Sequence, residues 1–443
     1  MSKDIKEVGV AVLGFGTVGA GVVETLLENG DLLERRLGVR LALRAVADLD
    51  IATDRGVVVP EGLLTTDGAA ALAREDVDVV VELIGGTGIA KKFILQALAA
   101  GKTVVTANKK LLAEHGAELL AAADAGGADL LFEASVGGGI PIIKALREGL
   151  CANRIESIYG ILNGTCNYIL TRMEEEKLPF DTVLKAAQAA GYAEAEPSLD
   201  IDGHDTAHKA AVLATLAYGQ IVPLGKVRTA GIRGMDAADI AYAAEMGYRI
   251  KLLAIVRRGP DGVEASVQPT LVAHSHQLAA VSGVFNAVQV KGDVVGTTLY
   301  YGRGAGRAAT ASAVVADIAD AALALRAGVR HRPLPAGGGA AGDAGGALRF
   351  CPPEAIRSRY YLRFAMLDRP GTLARVATVL GNHGIGIDSV IQHEAAPDAE
   401  YVPVILVTSA ARAGELDAAL AEIAAADGAV QGDAVAYRIE DFE

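Results

Sequence analysis

The feature that most constrains the fold is a short apolar run followed by a glycine-rich turn and a helical pattern. Val8–Leu13 is typical of a strand inside a parallel sheet that is covered on both faces. Gly14–Gly19 follows with the spacing Gly-x-Gly-x-x-Gly. In this context Gly14 allows a tight turn, Gly16 lets the backbone approach a pyrophosphate, and Gly19 permits close helix packing. The pattern predicts a Rossmann-type dinucleotide-binding domain.

Acidic residues at the end of the second predicted strand bear on the choice of dinucleotide. Asp48 and Asp50 stand where an acid binds the adenosine ribose hydroxyls and repels a 2′-phosphate. Ala47 brings no charge, and Arg44 and Arg55 are only nearby, so the sequence favours NAD slightly over NADP. Further apolar runs extend the same sheet. The predicted strands are Val39–Ala47, Val77–Ile84, Lys102–Ala107 and Asp129–Ala134.

The rest of the chain divides into a second mixed domain and a C-terminal module. Beyond Pro141, helical patterns alternate with strand-like runs, which predicts an α+β domain on a mixed sheet. From Tyr360 the order βαββαβ over about eighty residues is the ferredoxin-like arrangement. This module contains no cluster of catalytic residue types, so we expect it to bind a ligand or a partner. The expected domains are 1–135 completed by a helix at 307–328, 136–306, a linker at 331–350, and 356–443.

The densest group of ionisable residues lies in Ala187–Lys209. A Gly-Tyr turn at Gly191 ends one helix, the middle is irregular, and a helix restarts at about Asp205. Asp205 and Lys209 are four residues apart, so they share a helix face, with Asp202 just ahead of the first turn. The alternative interpretation is an acid at a helix start and a surface ion pair.

Three other segments present candidate groups at element ends. Lys109 stands at the carboxyl end of a predicted strand, the edge where open α/β sheets bind ligands, although it could simply begin the next helix. The glycines of Gly137–Gly139 bring backbone close either to another backbone or to an ion. Asn163–Thr165 suits a carboxylate or amide ligand, or a capped helix.

Composition limits the classes of partner. The net charge of −13 argues against nucleic acid and anionic membrane surfaces, both of which require basic patches. Three scattered cysteines fit neither a disulfide framework nor a Cys-x-x-Cys metal site. We find no signal segment and no uninterrupted apolar span of membrane length. A cytoplasmic protein that acts on a small molecule is therefore expected.

With these loops in place, the chain resembles the homoserine dehydrogenase family over about residues 8–330, followed by a module that looks like an ACT domain. The family signature Ala-x-x-x-Gly-Tyr-x-Glu-x-(acid)-Pro-x-x-Asp-(aliphatic)-x-Gly-x-Asp-x-x-x-Lys is met over Ala187–Lys209, with Glu196 where Asp is usual. Segments at 106–109, 133–141, 163–165 and 302–306 are also similar, although Ala309 replaces a usual proline. Leu367–Leu373 and Asn382–Ile387 resemble the two ACT signature loops.

The resemblance implies reversible reduction of L-aspartate 4-semialdehyde to L-homoserine with NAD or NADP. Lys209 is then the proton donor, and Lys109 helps to polarise the substrate at the cofactor side of the cleft. Glu194, Asp200 and Asp205 recognise the substrate and its α-ammonium. The matched cofactor positions are Phe15, Thr17, Val18, Lys109, Gly191 and Gly306, and the glycine motif and the acid at the second strand's end add Gly14, Gly16, Gly19 and Asp48.

The resemblance also implies a sodium ion, an effector and an assembly. The sodium ion would be held by backbone carbonyls of Glu133, Val136, Gly138 and Ile140, or the glycine run is a close-packed turn. The ACT domain implies feedback control, usually by L-threonine, or it only dimerises. A homodimer through the second domain or a homotetramer is expected, in threonine, methionine and isoleucine biosynthesis.

Three rival functions remain at this point. His204 and His208 are four residues apart on a helix, a spacing that is common for the first two ligands of a zinc site. A zinc site would make the chain a metallohydrolase. Against it, no further cluster has ligand spacing, and the Rossmann start would go unused. The others are a non-catalytic NAD(P)-binding sensor with the ACT module as output and a Rossmann oxidoreductase for another amino-acid aldehyde.

Overall fold

The structure is a computed structural model that describes residues 5–331, 348–393, 399–426 and 428–442. The helices are α1 Thr17–Glu28, α2 Gly30–Leu37, α3 Gly68–Ala73, α4 Ile89–Ala99, α5 Lys109–Gly126, α6 Ile142–Lys144, α7 Gly164–Glu176, α8 Phe180–Ala189, α9 Ser198–Ile201, α10 His204–Tyr218, α11 Ala237–Glu245, α12 Arg307–Ala327, α13 Thr372–Asn382 and α14 Ala413–Ala425. The strands are β1 Glu7–Leu13, β2 Arg40–Ala47, β3 Leu64–Thr65, β4 Val79–Glu82, β5 Thr103–Thr106, β6 Leu130–Leu131, β7 Ile155–Ile161, β8 Arg228–Thr229, β9 Tyr248–Gly259, β10 Gly262–Ala273, β11 Phe285–Gly292, β12 Gly296–Arg303, β13 Arg357–Leu367, β14 Ile387–Gln392, β15 Tyr401–Thr408, β16 Ala411–Arg412 and β17 Val435–Glu440.

The chain forms two compact units. The first comprises Met1–Gly164, Asp205–Val227 and Val284–Leu348, and the second comprises Thr165–His204, Arg228–Gly283 and Arg349–Glu443. The predicted linker at 331–350 lies mostly outside the described residues, and the domain boundaries expected from the sequence stay predictions.

A parallel sheet organises the first unit. Its order is β3-β2-β1-β4-β5-β6, and every pair in it is parallel. The central strand β1 is buried from Val8 to Leu13 because helices cover both faces, as its apolar run predicts. From β1 the sheet continues through β2 and β3 on one side and through β4, β5 and β6 on the other, so the strand order reverses between β1 and β4. The carboxyl ends of these two strands form the ligand-binding switch point. Strands β12, β11 and β7 of the same unit form an antiparallel series.

Helix α12 packs into the core of this unit. It is long and apolar enough to cross a membrane by length and composition alone. However, Ala311, Val314 and Ile318 are fully buried in the same core as β1 and α1. The apolar side chains of α12 are therefore explained by packing against the Rossmann sheet.

Two details of the prediction are wrong. The strand expected over Asp129–Ala134 is reduced to β6, and Glu133–Ser135 forms a 3₁₀ turn. The Glu133 amide donates to the Asp317 carboxylate at 2.7 Å, which takes the backbone out of the sheet ladder. The irregular segment after Gly191 also contains a helix, α9, which carries Asp200.

The second unit contains the ferredoxin-like module, and its βαββαβ order is confirmed. Strands β17, β13, β15 and β14 lie in that order with antiparallel pairs, and α13 and α14 contribute to its core. Strand β17 also pairs in parallel with β10, which is the second strand of the β9–β10 hairpin. A fully buried ion pair between Arg438 and Glu264 crosses this junction. The module thus shares a continuous sheet with the hairpin.

Candidate active site

The glycine loop after β1 has the close packing that the sequence predicts. Gly14 has φ +103°, and a Cβ on it would lie 2.5 Å from the Leu83 carbonyl carbon at the end of β4. A Cβ on Gly19 would overlap the Gly14 carbonyl, whereas one on Gly16 would meet nothing within 4 Å. The space at Gly16, beside the first turn of α1, is where a pyrophosphate approaches the backbone in this fold.

Asp48 is tied to the glycine loop. Its Oδ2 accepts the Phe15 amide at 2.6 Å, and its Oδ1 accepts the Asp50 amide at 2.9 Å. Asp50 in turn pairs with Arg55 at 2.9 Å. Each Asp48 oxygen keeps acceptor capacity for a ribose hydroxyl, because a carboxylate oxygen accepts more than one hydrogen bond. The same carboxylate therefore orders the loop and remains chemically suited to the ribose.

A second group of residues in the first unit converges on one carboxylate. Asp205, on the first turn of α10, has Oδ1 at 3.0 Å from Lys109 Nζ and Oδ2 at 2.7 Å from Lys209 Nζ. Asn163 Nδ2 donates to Asp205 Oδ2 at 2.9 Å, and Lys209 Nζ donates to the Leu162 carbonyl at 2.6 Å. The structure thus brings together the two predicted catalytic lysines. Asp205 and Lys209 are not a surface ion pair, since their side chains are 5% and 10% exposed.

The charges of this cluster determine the state of Asp205. Burial alone would raise the pKa of Asp205, but the charges of Lys209 and Lys109 and the hydrogen bonds from Lys209 and Asn163 outweigh it. The pKa is therefore held well below its usual range, and the carboxylate is ionised at neutral pH. Two lysine ammonium groups thus flank one ionised carboxylate.

Sequence reasoning missed two partners in this cluster. Leu162 contributes a backbone carbonyl, which no side-chain pattern reveals. Asn163 was expected to suit a ligand or to cap a helix, and its side-chain amide also donates to Asp205. Both follow the end of β7, so the signal available in the sequence was only the end of a predicted strand beside an Asn-Gly-Thr turn.

The remaining predicted substrate residues lie in the second unit. Glu194 is exposed, and its backbone carbonyl accepts Gln188 Nε2 at 3.0 Å. Asp200 lies on α9, where its carbonyl accepts the Cys166 thiol at 3.2 Å. Gly191 follows the end of α8 with φ +74°. Their roles stay predictions that rest on the signature.

The glycine run near Glu133 is packed against a second predicted loop. Gly139 donates its amide to the Arg303 carbonyl at 3.0 Å, and Gly138 (φ +57°) lies so close to Gly304 that a Cβ would overlap it. Gly306, a predicted cofactor position, ends that second loop and precedes α12. The Ile140 carbonyl accepts the Ile142 amide at 2.8 Å. All candidate ligands here are carbonyl oxygens, the donor type that a hard cation prefers.

The side chain of Glu133 serves a different purpose. Its two carboxylate oxygens accept the amides of Ile143 and Lys144 at 2.9 and 2.7 Å, at the start of α6. Burial raises the pKa of Glu133 to about 7, against the lowering effect of these hydrogen bonds. If Glu133 binds a cation, its backbone carbonyl is thus the available ligand.

The zinc alternative finds no support. No group of three or more His, Cys, Asp or Glu able to hold a metal occurs among the residues that the structure describes. His208 is buried and burial lowers its pKa, whereas His204 is exposed at the start of α10.

A parallel Rossmann sheet with a glycine loop at its switch point, beside a cationic cluster, defines a nicotinamide-dependent oxidoreductase, here with a C-terminal ACT domain. The sequence matches the homoserine dehydrogenase NAD binding domain over residues 14–133, homoserine dehydrogenase over 141–319 and the ACT domain over 360–425. The chain belongs to the homoserine dehydrogenase family, a family of NAD(P)-dependent oxidoreductases.

Individual relatives are similar over most or all of the chain. The homoserine dehydrogenase of Neisseria gonorrhoeae is 46% identical over 424 residues, 96% of each chain. The crystal structure of a homoserine dehydrogenase from Thiobacillus denitrificans matches with a TM-score of 0.91 and 43% identity over 100% of both chains. A hyperthermophilic archaeal homoserine dehydrogenase in complex with NADPH matches with a TM-score of 0.61 and 28% identity over 72% of this chain and 98% of its own.

Proposed function

We propose that the chain interconverts L-homoserine and L-aspartate 4-semialdehyde, with Lys209 and Lys109 as the reacting cations. The observation that carries this assignment is the convergence of both ammonium groups on the buried Asp205 carboxylate. A nicotinamide cofactor supplies or accepts the hydride when it is bound.

The chemistry requires positive charge where the aldehyde oxygen is reduced. Hydride addition leaves an alkoxide, and the positive charge of the two lysine ammonium groups on Asp205 stabilises it. Lys209, held by Asp205 and the Leu162 carbonyl, gives its proton to the alkoxide in one direction and takes it back in the other. Lys109, which is more exposed, polarises the carbonyl.

Recognition of the substrate's amino-acid end is assigned to acids. Glu194, Asp200 and Asp205 are the signature positions for the α-ammonium, which needs carboxylate partners. Glu194 suits this role because, among the residues that the structure describes, no ion pair holds its carboxylate. Asp205 also binds the two lysines, so one of the residues assigned to the substrate's α-ammonium also holds the reacting groups.

The cofactor would be bound by Asp48, Lys109, Gly191 and Gly306 together with the glycine loop Gly14–Gly19. Loop amides and the first turn of α1 suit the pyrophosphate, and Asp48 suits the ribose hydroxyls. Asp48 would repel a 2′-phosphate, which favours NAD. The archaeal relative that binds NADPH leaves both cofactors to be tested.

The test of the proposed function follows nicotinamide absorbance with L-homoserine as substrate and NAD or NADP in parallel. Turnover with either cofactor is the expected result, and the ratio of kcat/KM values measures the effect of Asp48. If folded protein that binds a cofactor shows no turnover with either, the chain is a non-catalytic sensor.

A sodium ion would be held by the carbonyls of Glu133, Val136, Gly138 and Ile140. We expect sodium chloride to raise the thermal unfolding temperature of the protein more than choline chloride does at equal ionic strength, because bound cation stabilises the folded state. Equal shifts with both salts would leave a close-packed turn as the explanation for these glycines.

Feedback control by L-threonine through the ACT domain is the proposed regulation. We expect millimolar L-threonine to lower turnover and L-serine, which lacks the methyl group, to have a smaller effect. An unchanged rate would exclude threonine as the effector. The reaction belongs to threonine, methionine and isoleucine biosynthesis in the cytoplasm. The chain acts as a homodimer or a homotetramer, which light scattering distinguishes.

A further inference from the structure

A buried carboxylate outside the lysine cluster organises the loops at the switch point. Glu82 is the last residue of β4 and is fully buried. Its Oε1 accepts the amides of Ile84 and Gly85, both at 2.9 Å. Its Oε2 accepts the hydroxyl of Thr106, the last residue of β5, at 2.7 Å. A buried carboxylate is tolerated here because three donors satisfy it.

The same network reaches the helix that carries Lys109. The Thr106 hydroxyl accepts the Asn108 amide at 3.0 Å, and Asn108 Nδ2 donates to the Gly86 carbonyl at 2.7 Å. Asn108 Oδ1 caps α5 by accepting the Leu111 amide at 3.1 Å. Two hydrogen-bonded routes therefore join the loop after β4 to the start of α5. One runs through the Glu82 carboxylate and the Thr106 hydroxyl, and the other runs through the Asn108 side-chain amide.

The network also touches the glycine loop. The Leu83 amide donates to the Leu13 carbonyl at 2.7 Å, and the Leu83–Ile84 peptide is the group that a Cβ on Gly14 would strike. Ends of the adjacent strands β1, β4 and β5 are thus connected at the carboxyl edge. In a doubly wound sheet, the two halves of a dinucleotide lie on either side of the switch point between strands such as β1 and β4.

We propose that Glu82, Thr106 and Asn108 are positioning residues that fix the β4 loop, which faces the nicotinamide half of the cofactor, relative to Lys109. The inference rests on the proposed function, since it concerns the geometry of the same reaction. None of the three side chains needs to touch the reacting atoms. Their effect is on the distance and angle of hydride transfer, to which rate is steeply sensitive.

The loop composition agrees with this role. With Glu82 drawing the amides of Ile84 and Gly85 inward, the Ile84 side chain is left 41% exposed. An added Cβ on Gly85 or Gly86 would meet nothing within 4 Å, so the outer side of the loop is open. An open loop with an exposed apolar side chain suits packing against the flat face of the nicotinamide ring.

Threonine variants at the two ends of β5 test the proposal. Thr106→Val keeps the shape but removes the hydroxyl, so Glu82 loses a donor and the Asn108 amide loses its acceptor. Thr106→Ser keeps both hydrogen bonds. Thr103→Val makes the same change at the amino end of the strand, away from the switch point. Asn108→Ser keeps a good cap for α5 and removes the hydrogen bond from the Asn108 side-chain amide to the Gly86 carbonyl.

The measurements are kcat, the KM for the cofactor and the primary isotope effect with L-homoserine deuterated at C4. For Thr106→Val we expect kcat to fall about tenfold and the isotope effect to rise, as hydride transfer becomes the slowest step. Asn108→Ser should move both in the same direction by about threefold. The kcat of Thr106→Ser should stay within about twofold of the wild type because this variant keeps both hydrogen bonds. The kcat of Thr103→Val should also stay within about twofold, because a merely structural role changes stability without changing the isotope effect.

Two outcomes would overturn the inference. One is a Thr106→Val enzyme with wild-type kcat and isotope effect. The other is an unaffected Asn108→Ser enzyme, which decides the matter if Thr106→Val does not fold. Absence of turnover in the wild type would refute the proposed function instead, so the two failures are distinguishable.

Discussion

Replacing Lys209 with alanine is expected to lower the turnover of L-homoserine by about 10²- to 10⁴-fold, the range that general acid–base groups contribute. The ammonium group is the proton donor of the cluster, and the neighbouring Lys109 points to the opposite oxygen of Asp205. Cofactor affinity, measured by nicotinamide fluorescence, should change less than threefold, because the Gly14–Gly19 loop is untouched.

The matched control is Lys110→Ala, one residue from Lys109. Lys110 is about half exposed and lies 3.9 Å from Glu114 in a surface pair, which contributes little. Its turnover should match that of the wild type. Retained activity in Lys209→Ala would transfer the proton donor's role to another group, and a parallel loss of cofactor affinity would point to a structural defect.

Replacing Asp205 with asparagine is expected to have the largest effect on stability and a strong effect on turnover. The change leaves two ammonium groups side by side with no carboxylate between them. Loss of one partner from a buried charge cluster costs about 3 kcal/mol of unfolding free energy. Urea unfolding at pH 7 measures this cost, and turnover should fall as the lysines lose their fixed positions.

The pH dependence of this difference has a defined sign. The folded-state pKa of Asp205 lies below its usual value, so its stabilising contribution is present above about pH 4 and is lost as pH falls through the folded pKa. The gap between wild type and Asp205→Asn should be constant from about pH 5 to pH 8 and narrow below about pH 4. A gap that widens in acid would contradict the assigned state.

Asp202→Asn provides the control on the same segment. Asp202 pairs with Arg233 at 2.6 Å, and both side chains are substantially exposed. Its replacement should change the free energy of unfolding by less than about 1 kcal/mol. An equal loss in both variants would show that the segment as a whole, rather than the buried carboxylate, sets the stability.

The sequence alone determined the elements whose signals are local. The run Val8–Leu13 with Gly14–Gly19 predicted the first strand, turn and helix, because a buried strand and a glycine turn are encoded in adjacent residues. The βαββαβ order after Tyr360 followed from turn signals in the same way. Family membership was also legible, since the signature over Ala187–Lys209 is long and specific.

Only the tertiary structure decided which side chains meet. Lys109 and Asp205 are nearly a hundred residues apart, and no local pattern brings them within 3.0 Å. The Asp129–Ala134 strand was predicted too long because Asp317, far along the chain, takes the Glu133 amide. The role of Glu82 could not be predicted for the same reason, because it depends on contacts to two loops. Local conformational propensity depends on neighbouring residues in the sequence. Charge, burial and hydrogen bonding at a site depend on residues that only folding brings together.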